Sequence, residues 1–351
     1  MNDKIIDELV KLTNMIKAET DELRKKKETK SVNRNGFRLR YLNNLINIVK
    51  NLDFKITKKN YMDLKDFDGV GKGSLDRIKE IVEDGNLDET KDFKFDNKKN
   101  DGTNELMEII GIGRSNAIDL YNQGATTIKK LRKMIKNNKI EVNDKIKLGL
   151  KYHGVFEENI PRKEIDKVYN MISKITKKIN KEDNLIEKNK YCFEICGSYR
   201  RMKSKSGDID ILLTKFGTKD TLSDEESSKH LTRFVNFLKE PVKYNNKQKF
   251  LVDDMTDKNI TTKYMGFGKY KDNPVRRIDI RFISYESYHS ALLYFTGSGD
   301  LNKKMRNIAK SKNFKLSEYG LFKENGKKIK TKSEEAIFKK LGLDYIEPKF
   351  R

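Results

Sequence analysis

The sequence predicts a multidomain α+β chain in which helices come first and a mixed sheet follows. Three observations carry this. Apolar residues recur at helical spacing early on, at Ile5, Ile6, Leu9, Leu12 and Ile16, then at Phe37, Tyr41, Leu45, Ile48 and Val49. From Tyr191 the pattern shortens to period two, the repeat of a strand. The length of 351 residues exceeds one ordinary domain, and 36% hydrophobic against 37% charged residues suits several small cores better than one large one.

Taken in order, residues 3–28 and 37–51 read as amphipathic helices joined by a polar connection, KKKETKSVNRNG. Two turns of one pattern follow, Gly69-Val70-Gly71 and Gly111-Ile112-Gly113, each after an apolar helix end and each opening a new amphipathic helix. The polar segment between them, NLDETKDFKFDNKKNDG, reads as a linker. Residues 149–165 mark another transition, because Pro161 resists continuing a helix. Strand-like runs lie at 191–196, 208–214 and 276–284, with a fourth over 261–268, and a helix over 300–312 follows YFTGSG.

A formal net charge of +23 points to a polyanionic partner, bound with release of counterions from a phosphate backbone. Anionic membrane is the rival, but no apolar run approaches the roughly 18–20 residues of a span. The start, MNDKIIDELV, lacks a basic segment followed by an apolar core, so no signal peptide is expected. Cys192 and Cys196 supply neither a disulfide framework nor a zinc site; the plain reading is two packed, reduced thiols on one strand face. A reducing, intracellular compartment is expected, nuclear or viral.

Glycine lets each Gly-h-Gly turn bend sharply and approach a ligand, and the following helix offers free N–H groups to a phosphate oxygen. Such contacts read no base and suit sequence-independent DNA binding. One such turn is equally an ordinary helix–helix connection; the pair resembles the helix-hairpin-helix motif. That resemblance implies a monovalent cation, Na⁺ or K⁺, held by the carbonyls of Lys65, Phe67 and Val70, and another by those of Met107, Ile109 and Ile112.

In GDIDILL, alternation places Asp208 and Asp210 on one strand face while Ile209 and Ile211 face the core. Carboxylates about 6–7 Å apart along a strand repel unless a cation lies between them, and Mg²⁺ is the natural candidate. A third acid, Asp279 in RRIDIRFI, sits between inward-facing Ile278 and Ile280, with Arg277 and Arg281 on its own face to orient it. An isolated DxD is as well read as a surface salt-bridged strand. Here Gly197-Ser198 precedes it and a later hDh strand follows. Ser198 and Arg201 in the preceding basic turn suit a triphosphate tail, which metals would bridge to the acids.

With these motifs in order, GSYRR, GDIDILLT, RRIDIRFI, YFTGS, NKKMR and SEYG, the chain from about residue 37 to Arg351 resembles the family X DNA polymerases. The resemblance implies four parts. A helical lyase-like DNA-binding domain over 1–92 and a DNA-binding subdomain over 93–163 each carry one hairpin. A nucleotidyltransferase palm with a mixed sheet spans 164–285, and a small α+β nucleotide-selection subdomain spans 286–351. It implies two divalent metals, Mg²⁺ with Mn²⁺ as the alternative, on Asp208, Asp210 and Asp279, with Asp279 beside the primer 3′-OH. Arg162, Ser198, Arg201 and Gly207 would hold the triphosphate; Tyr294, Phe295 and Gly297 would line the sugar and exclude ribonucleotides. Asn302 would touch the minor-groove edge of the nucleotide and Arg306 the templating base. Arg277, Tyr41, Lys50, Gly69, Gly71, Gly111 and Gly113 would contact DNA, and Arg281 would switch between Asp210 and the Glu318–Tyr319 pair.

Two positions depart from the family pattern. Gly299 stands where an acidic residue packs beside the incoming base, and Arg77 stands where the lyase lysine forms a Schiff base. Arginine stays protonated and is no amine nucleophile, so lyase activity is expected to be weak or absent. The expected function is gap-filling, template-directed synthesis in base excision repair. The expected partners are gapped or nicked DNA, dNTPs and other repair proteins, and the chain is expected to be a monomer. A template-independent terminal transferase and a non-catalytic DNA-binding scaffold are the alternatives. Abundant Lys, Asn and Ile suggest AT-rich coding, and a compact chain of this kind suits a large DNA virus or a microbe.

Overall fold

The computed structural model describes residues 1–93, 96–155, 159–256 and 260–351. They form two compact units, Met1–Val142 and Asn143–Arg351. No helix of the described residues is long and apolar enough to cross a membrane.

The first unit is helical. Helices α1 (Asp3–Lys25) and α2 (Thr29–Lys50) pair because Leu9, Leu12 and Ile16 on one meet Leu42, Leu45, Ile46 and Val49 on the other. A 3-10 turn (Tyr61–Asp66), α3 (Lys72–Asp84) and a second 3-10 turn (Asp88–Thr90) complete this core with Leu64, Ile78, Ile81 and Leu87. Then come α4 (Asn97–Met107), α5 (Arg114–Asn122) and α6 (Ile128–Lys136).

Two expectations about connections need correction here. Most of KKKETKSVNRNG is helical, since α2 starts at Thr29 and fully buries Asn35 in its second turn. The expected linker over 86–102 is largely structured. The amide of Leu87 and the hydroxyl of Thr90 both donate to the Glu8 carboxylate, at 3.3 and 3.2 Å. Farther on, Asp96 caps α4 by accepting from the Lys99 amide. Lys94 and Phe95, within that segment, and Phe156, Glu157 and Glu158, within the 149–165 transition, lie outside the described residues.

The second unit starts with α7 (Asp144–Tyr152), β1 (Ile160–Pro161) and α8 (Arg162–Glu182). Next are β2 (Tyr191–Ile195), α9 (Gly197–Arg200), β3 (Lys205–Ser206) and β4 (Ile209–Lys215). They are followed by α10 (Asp224–Lys239), β5 (Leu251–Asp254), β6 (Lys263–Gly268) and β7 (Arg276–Phe282). The chain closes with α11 (Tyr288–Thr296), α12 (Gly299–Ser311), β8 (Phe314–Ser317), β9 (Gly320–Lys323), β10 (Lys328–Ile329) and α13 (Glu334–Leu341).

The main sheet has the order β2-β4-β7-β6-β5, with β4 and β7 parallel and the other pairs antiparallel. Helices α8 and α10 cover one face, where Ile209, Ile211, Leu213, Ile278 and Ile280 meet Ile172, Ile175, Phe234 and Leu238. Leu212, on the opposite face, packs with Ala291 and Leu292 of α11. A separate three-stranded sheet, β10-β9-β8, packs with α12 and α13 around Met305, Leu321, Ile337 and Phe338. The cysteines are free, but they do not share a strand face: β2 ends at Ile195, and buried Cys196 begins the next turn.

Candidate active site

Strand β4 carries Asp210 between Ile209 and Ile211, and β7 carries Asp279 between Ile278 and Ile280. The isoleucines fix the register by filling one core, so parallel pairing sets Asp210 directly beside Asp279. Asp208 lies just before β4, and one carboxylate oxygen from each acid falls within 4.8 Å of the others. Burial, then the charges of Asp208 and Asp279, pushes the Asp210 acid up to about 7. Burial, partly opposed by Arg277, also raises Asp208. Arg277 Nη2 donates to Asp279 Oδ2 at 2.8 Å, while Asp279 Oδ1 is buried and accepts no hydrogen bond from the described residues. Three crowded acids with one oriented from outside and one lone pair unused suit a cation. Oxygen-only donors favour a hard divalent ion.

The basic turn sits against these acids. Gly197 has φ +57, and a Cβ there would lie 2.9 Å from Asp210 Oδ2, so both backbone and space require glycine. The Cys196 amide donates to the Asp210 carbonyl at 2.8 Å, tying the turn to β4. Ser198 lies in α9, whose N-terminus opens beside Asp210. Arg162 donates to the Tyr199 carbonyl at 2.6 Å and stacks 4.2 Å over the Tyr199 ring. Arg201 donates to the Thr296 carbonyl at 2.5 Å, and Gly207 immediately precedes Asp208. Arg162, Ser198, Arg201 and Gly207 are thus gathered around one turn.

A cavity of about 230 Å³ opens on Asp210 and Asp279, walled by Tyr294, Phe295, Lys263, Arg281 and Glu318. Tyr294 and Phe295 meet edge to face at 5.1 Å and flank this cavity. Gly297, at φ +71, ends α11 just after Thr296. Asn302 donates to the Tyr294 carbonyl at 2.7 Å and shares a smaller neighbouring cleft with Arg306. Arg281 does not orient Asp279, as its place on the strand suggests. Its Nη2 donates to the Tyr319 hydroxyl at 2.7 Å, because β7 carries it past the acids toward the β8–β9 turn.

Sequence reasoning missed two features. Lys263, on β6 opposite Arg281, faces the same cavity and favours ionised Asp210. Its run was read as a strand, but its closeness to the acids depends on sheet order. Second, Glu334 at the start of α13 accepts from Arg200 at 3.1 and 2.6 Å and from Arg351 at 2.7 Å; Arg200 also donates to Thr296 Oγ1 at 2.6 Å. No local pattern announces a link between such distant positions.

In the first unit, the two Gly-h-Gly turns share one geometry. Val70 donates to the Phe67 carbonyl at 3.1 Å, and Ile112 to that of Ile109 at 3.0 Å. Gly69 and Gly111 have φ +82 and +98, while Gly71 and Gly113 cap α3 and α5. Lys65 and Met107 lie just before these turns. A cavity of about 500 Å³ at the first turn is lined by Arg38, Tyr41, Gly69, Gly71, Gly73 and Arg77. Arg77 is held by Glu89 at 2.5 Å and by the Gly73 carbonyl at 3.0 Å. Lys50, in the last turn of α2, is exposed and does not line this cavity.

Comparisons with known proteins cover most of the chain. Residues 159–285 match the DNA polymerase beta palm, residues 291–351 the DNA polymerase beta thumb, and residues 104–157 the fingers domain of DNA polymerase lambda. DNA polymerase lambda of Arabidopsis thaliana is 32% identical over 81% of this chain and 53% of its own length. The rat protein of that name is 27% identical over 82% of this chain and 48% of its own. A DNA nucleotidylexotransferase of Xenopus laevis is 26% identical over 86% of this chain and 61% of its own. The chain spans about half the length of the two polymerase relatives.

Proposed function

The chain belongs to family X of the DNA polymerases, and from that premise we propose that it adds dNTPs to a primer 3′-OH under template direction, filling short gaps during base excision repair. The observation that carries this reading is the Asp208–Asp210–Asp279 cluster, aligned by paired strands beside a basic turn. Two divalent cations held by these acids, Mg²⁺ or alternatively Mn²⁺, would offset their repulsion and supply charge stabilisation for in-line phosphoryl transfer.

The protein's own groups do the positioning. Arg277 fixes Asp279 toward the primer hydroxyl and adds a DNA-facing charge. Arg162, Ser198, Arg201 and the backbone at Gly207 hold the triphosphate, with Arg201 leaving the Thr296 carbonyl to do so. Tyr294, Phe295 and Gly297 wall the sugar. Asn302 and Arg306 face the nucleotide and templating base, and Arg281 exchanges Tyr319 for Asp210 as the thumb closes. Gapped or nicked DNA is held at both hairpins through Gly69, Gly71, Gly111 and Gly113. Na⁺ or K⁺ would be held by the carbonyls of Lys65, Phe67 and Val70, and of Met107, Ile109 and Ile112, and would offset phosphate charge there. Tyr41 and Lys50 contribute on the first-hairpin side. The four parts at 1–92, 93–163, 164–285 and 286–351 act within one monomer, in a nuclear or viral compartment, beside other repair proteins.

Primer extension on a one-nucleotide gap, with each dNTP alone, tests the reading. Extension by the templated nucleotide is expected, and Asp279→Ala abolishes it while gap binding persists. Equal extension by the variant would refute the metal assignment.

Similarity to a nucleotidylexotransferase supports the second reading, template-independent addition. Against it, terminal transferases tend to carry Gly-Trp where this chain has Tyr294-Phe295, and the chain has no Trp. Untemplated addition to a single-stranded primer would select that reading.

We propose also that the first unit binds the 5′-phosphate side of a gap without lyase chemistry, because Arg77 offers no nucleophilic amine. Borohydride treatment on a 5′-deoxyribose-phosphate substrate should trap no adduct. Strong trapping that disappears in Lys72→Ala or Lys79→Ala would reverse this.

A further inference from the structure

Past the second Gly-h-Gly turn and α5, the chain enters α6, a helix with charge of one sign only. From Thr126 to Ile140 it reads TTIKKLRKMIKNNKI, with six Lys or Arg and no acid. Helical spacing sorts these residues cleanly. Ile128 and Leu131 are buried and Met134 and Ile135 half-buried, while Lys129, Arg132, Lys133 and Lys136 are exposed. Those four stand at i, i+3, i+4 and i+7, a single basic ridge about 10 Å long.

This ridge has an electrostatic cost in the protein alone. Like charges three and four apart each destabilise a helix by a few tenths of a kcal/mol. Lys129 and Lys130 also sit in the first turn, where the helix dipole disfavours cations. Lys129, Lys133 and Lys136 have no ion-pair partner among the described residues. Glu105 accepts the Ile128 amide at 2.8 Å, which satisfies the end of the helix and leaves Lys129, Lys133 and Lys136 uncompensated among the described residues. A dense line of negative charge removes this cost, and duplex DNA presents one charge per roughly 1.7 Å of its axis.

We propose that the Lys129–Arg132–Lys133–Lys136 face of α6 is a third DNA contact, lying along the phosphates of the duplex arm that flanks the gap. DNA is favoured over an acidic protein because the ridge follows the second hairpin within the same helical unit. It would extend with side chains the contact that the hairpin makes with backbone amides. The inference rests on the reading of the chain as a polymerase on gapped DNA.

The test uses the full chain with Lys129→Gln, Arg132→Gln, Lys133→Gln and Lys136→Gln combined, since Gln keeps good helix propensity. The Kd for a one-nucleotide-gapped duplex is measured from 50 to 200 mM KCl, with Lys130→Gln, off the ridge, as the comparison. Each lost phosphate contact lowers the slope of log K against log salt by about 0.9, so a drop of about 2–4 is expected. Affinity should fall at least about tenfold at 100 mM salt, and Lys130→Gln should change the slope by less than about 0.5. Substituting Arg for the three ridge lysines should retain the wild-type slope, which separates lost charge from a damaged fold. A wild-type slope in the four-fold Gln variant, with helicity preserved by circular dichroism, would overturn the proposal and leave an acidic protein as the occupant. Extension by the wild type on the same substrate is scored separately, so failure of the polymerase reading is told apart from failure of this one.

Discussion

Asp210 on β4 lies beside Asp279 on the neighbouring β7, and its acid is pushed up to about 7 by burial and then by Asp208 and Asp279. In the unfolded chain the same group titrates near 4. The folded form therefore binds the proton more tightly. The stability this adds is complete below about pH 4 and is lost as pH rises through about 7. In chelator, the wild type should lose thermal stability relative to Asp210→Asn between pH 4 and 7, by a few degrees. Added divalent cation should narrow that difference at pH 7. A difference that stays flat across the range would show that the acid is not held up by its surroundings. The acids themselves were legible because hDh alternation is local and states which side chains share a face. Lys263 and the Tyr319 partner of Arg281 were not. Both depend on which strands become neighbours, and a strand's own sequence does not specify that.

Among the elements, α9 and α13 are joined by charge in a largely dry setting. Glu334 is 5% exposed, and it receives Arg200 from the basic turn and the fully buried Arg351 guanidinium from the other side. Thr296, at the end of α11, takes a hydrogen bond from Arg200 on its hydroxyl and one from Arg201 on its carbonyl. One carboxylate thus sets where the basic turn stands relative to the Tyr294–Phe295 wall. Glu334→Gln leaves two guanidiniums facing a neutral amide, and breaking a buried pair of this kind costs about 3–5 kcal/mol. Chemical denaturation should show that loss, and the KM for dNTP should rise more than kcat falls. Should the variant keep both wild-type stability and wild-type KM, the network has no positioning role. The strands and both glycine turns were readable because their signals are short and repeated. The linker over 86–102 misled, since polar composition hid a segment anchored by Glu8 from a distant helix.

For the molecule as a whole, a charge of +23 pointed to a polyanionic partner, and the succession of helices then sheet to a helical part followed by an α+β part, while the chemistry was legible only in the acid motifs. The division after Val142 was less legible, because no glycine- or proline-rich stretch marks it and helices continue on both sides. The sheet order has a consequence in time. Strand β7 occupies the centre, yet it is synthesised after β2, β4, β5 and β6. On a ribosome adding about 5–20 residues per second, the stretch from Lys215 to Arg276 takes on the order of 3–12 s. Throughout that interval β4 presents an unpaired edge, joined near its end by that of β6, the kind of surface that recruits other strands. A chain interrupted before Arg276 holds Asp208 and Asp210 but lacks the strand that sets Asp279 beside them. The reactive centre is therefore among the last features of the sheet to exist, and translation speed across those residues bears on how much of the newly made protein becomes competent.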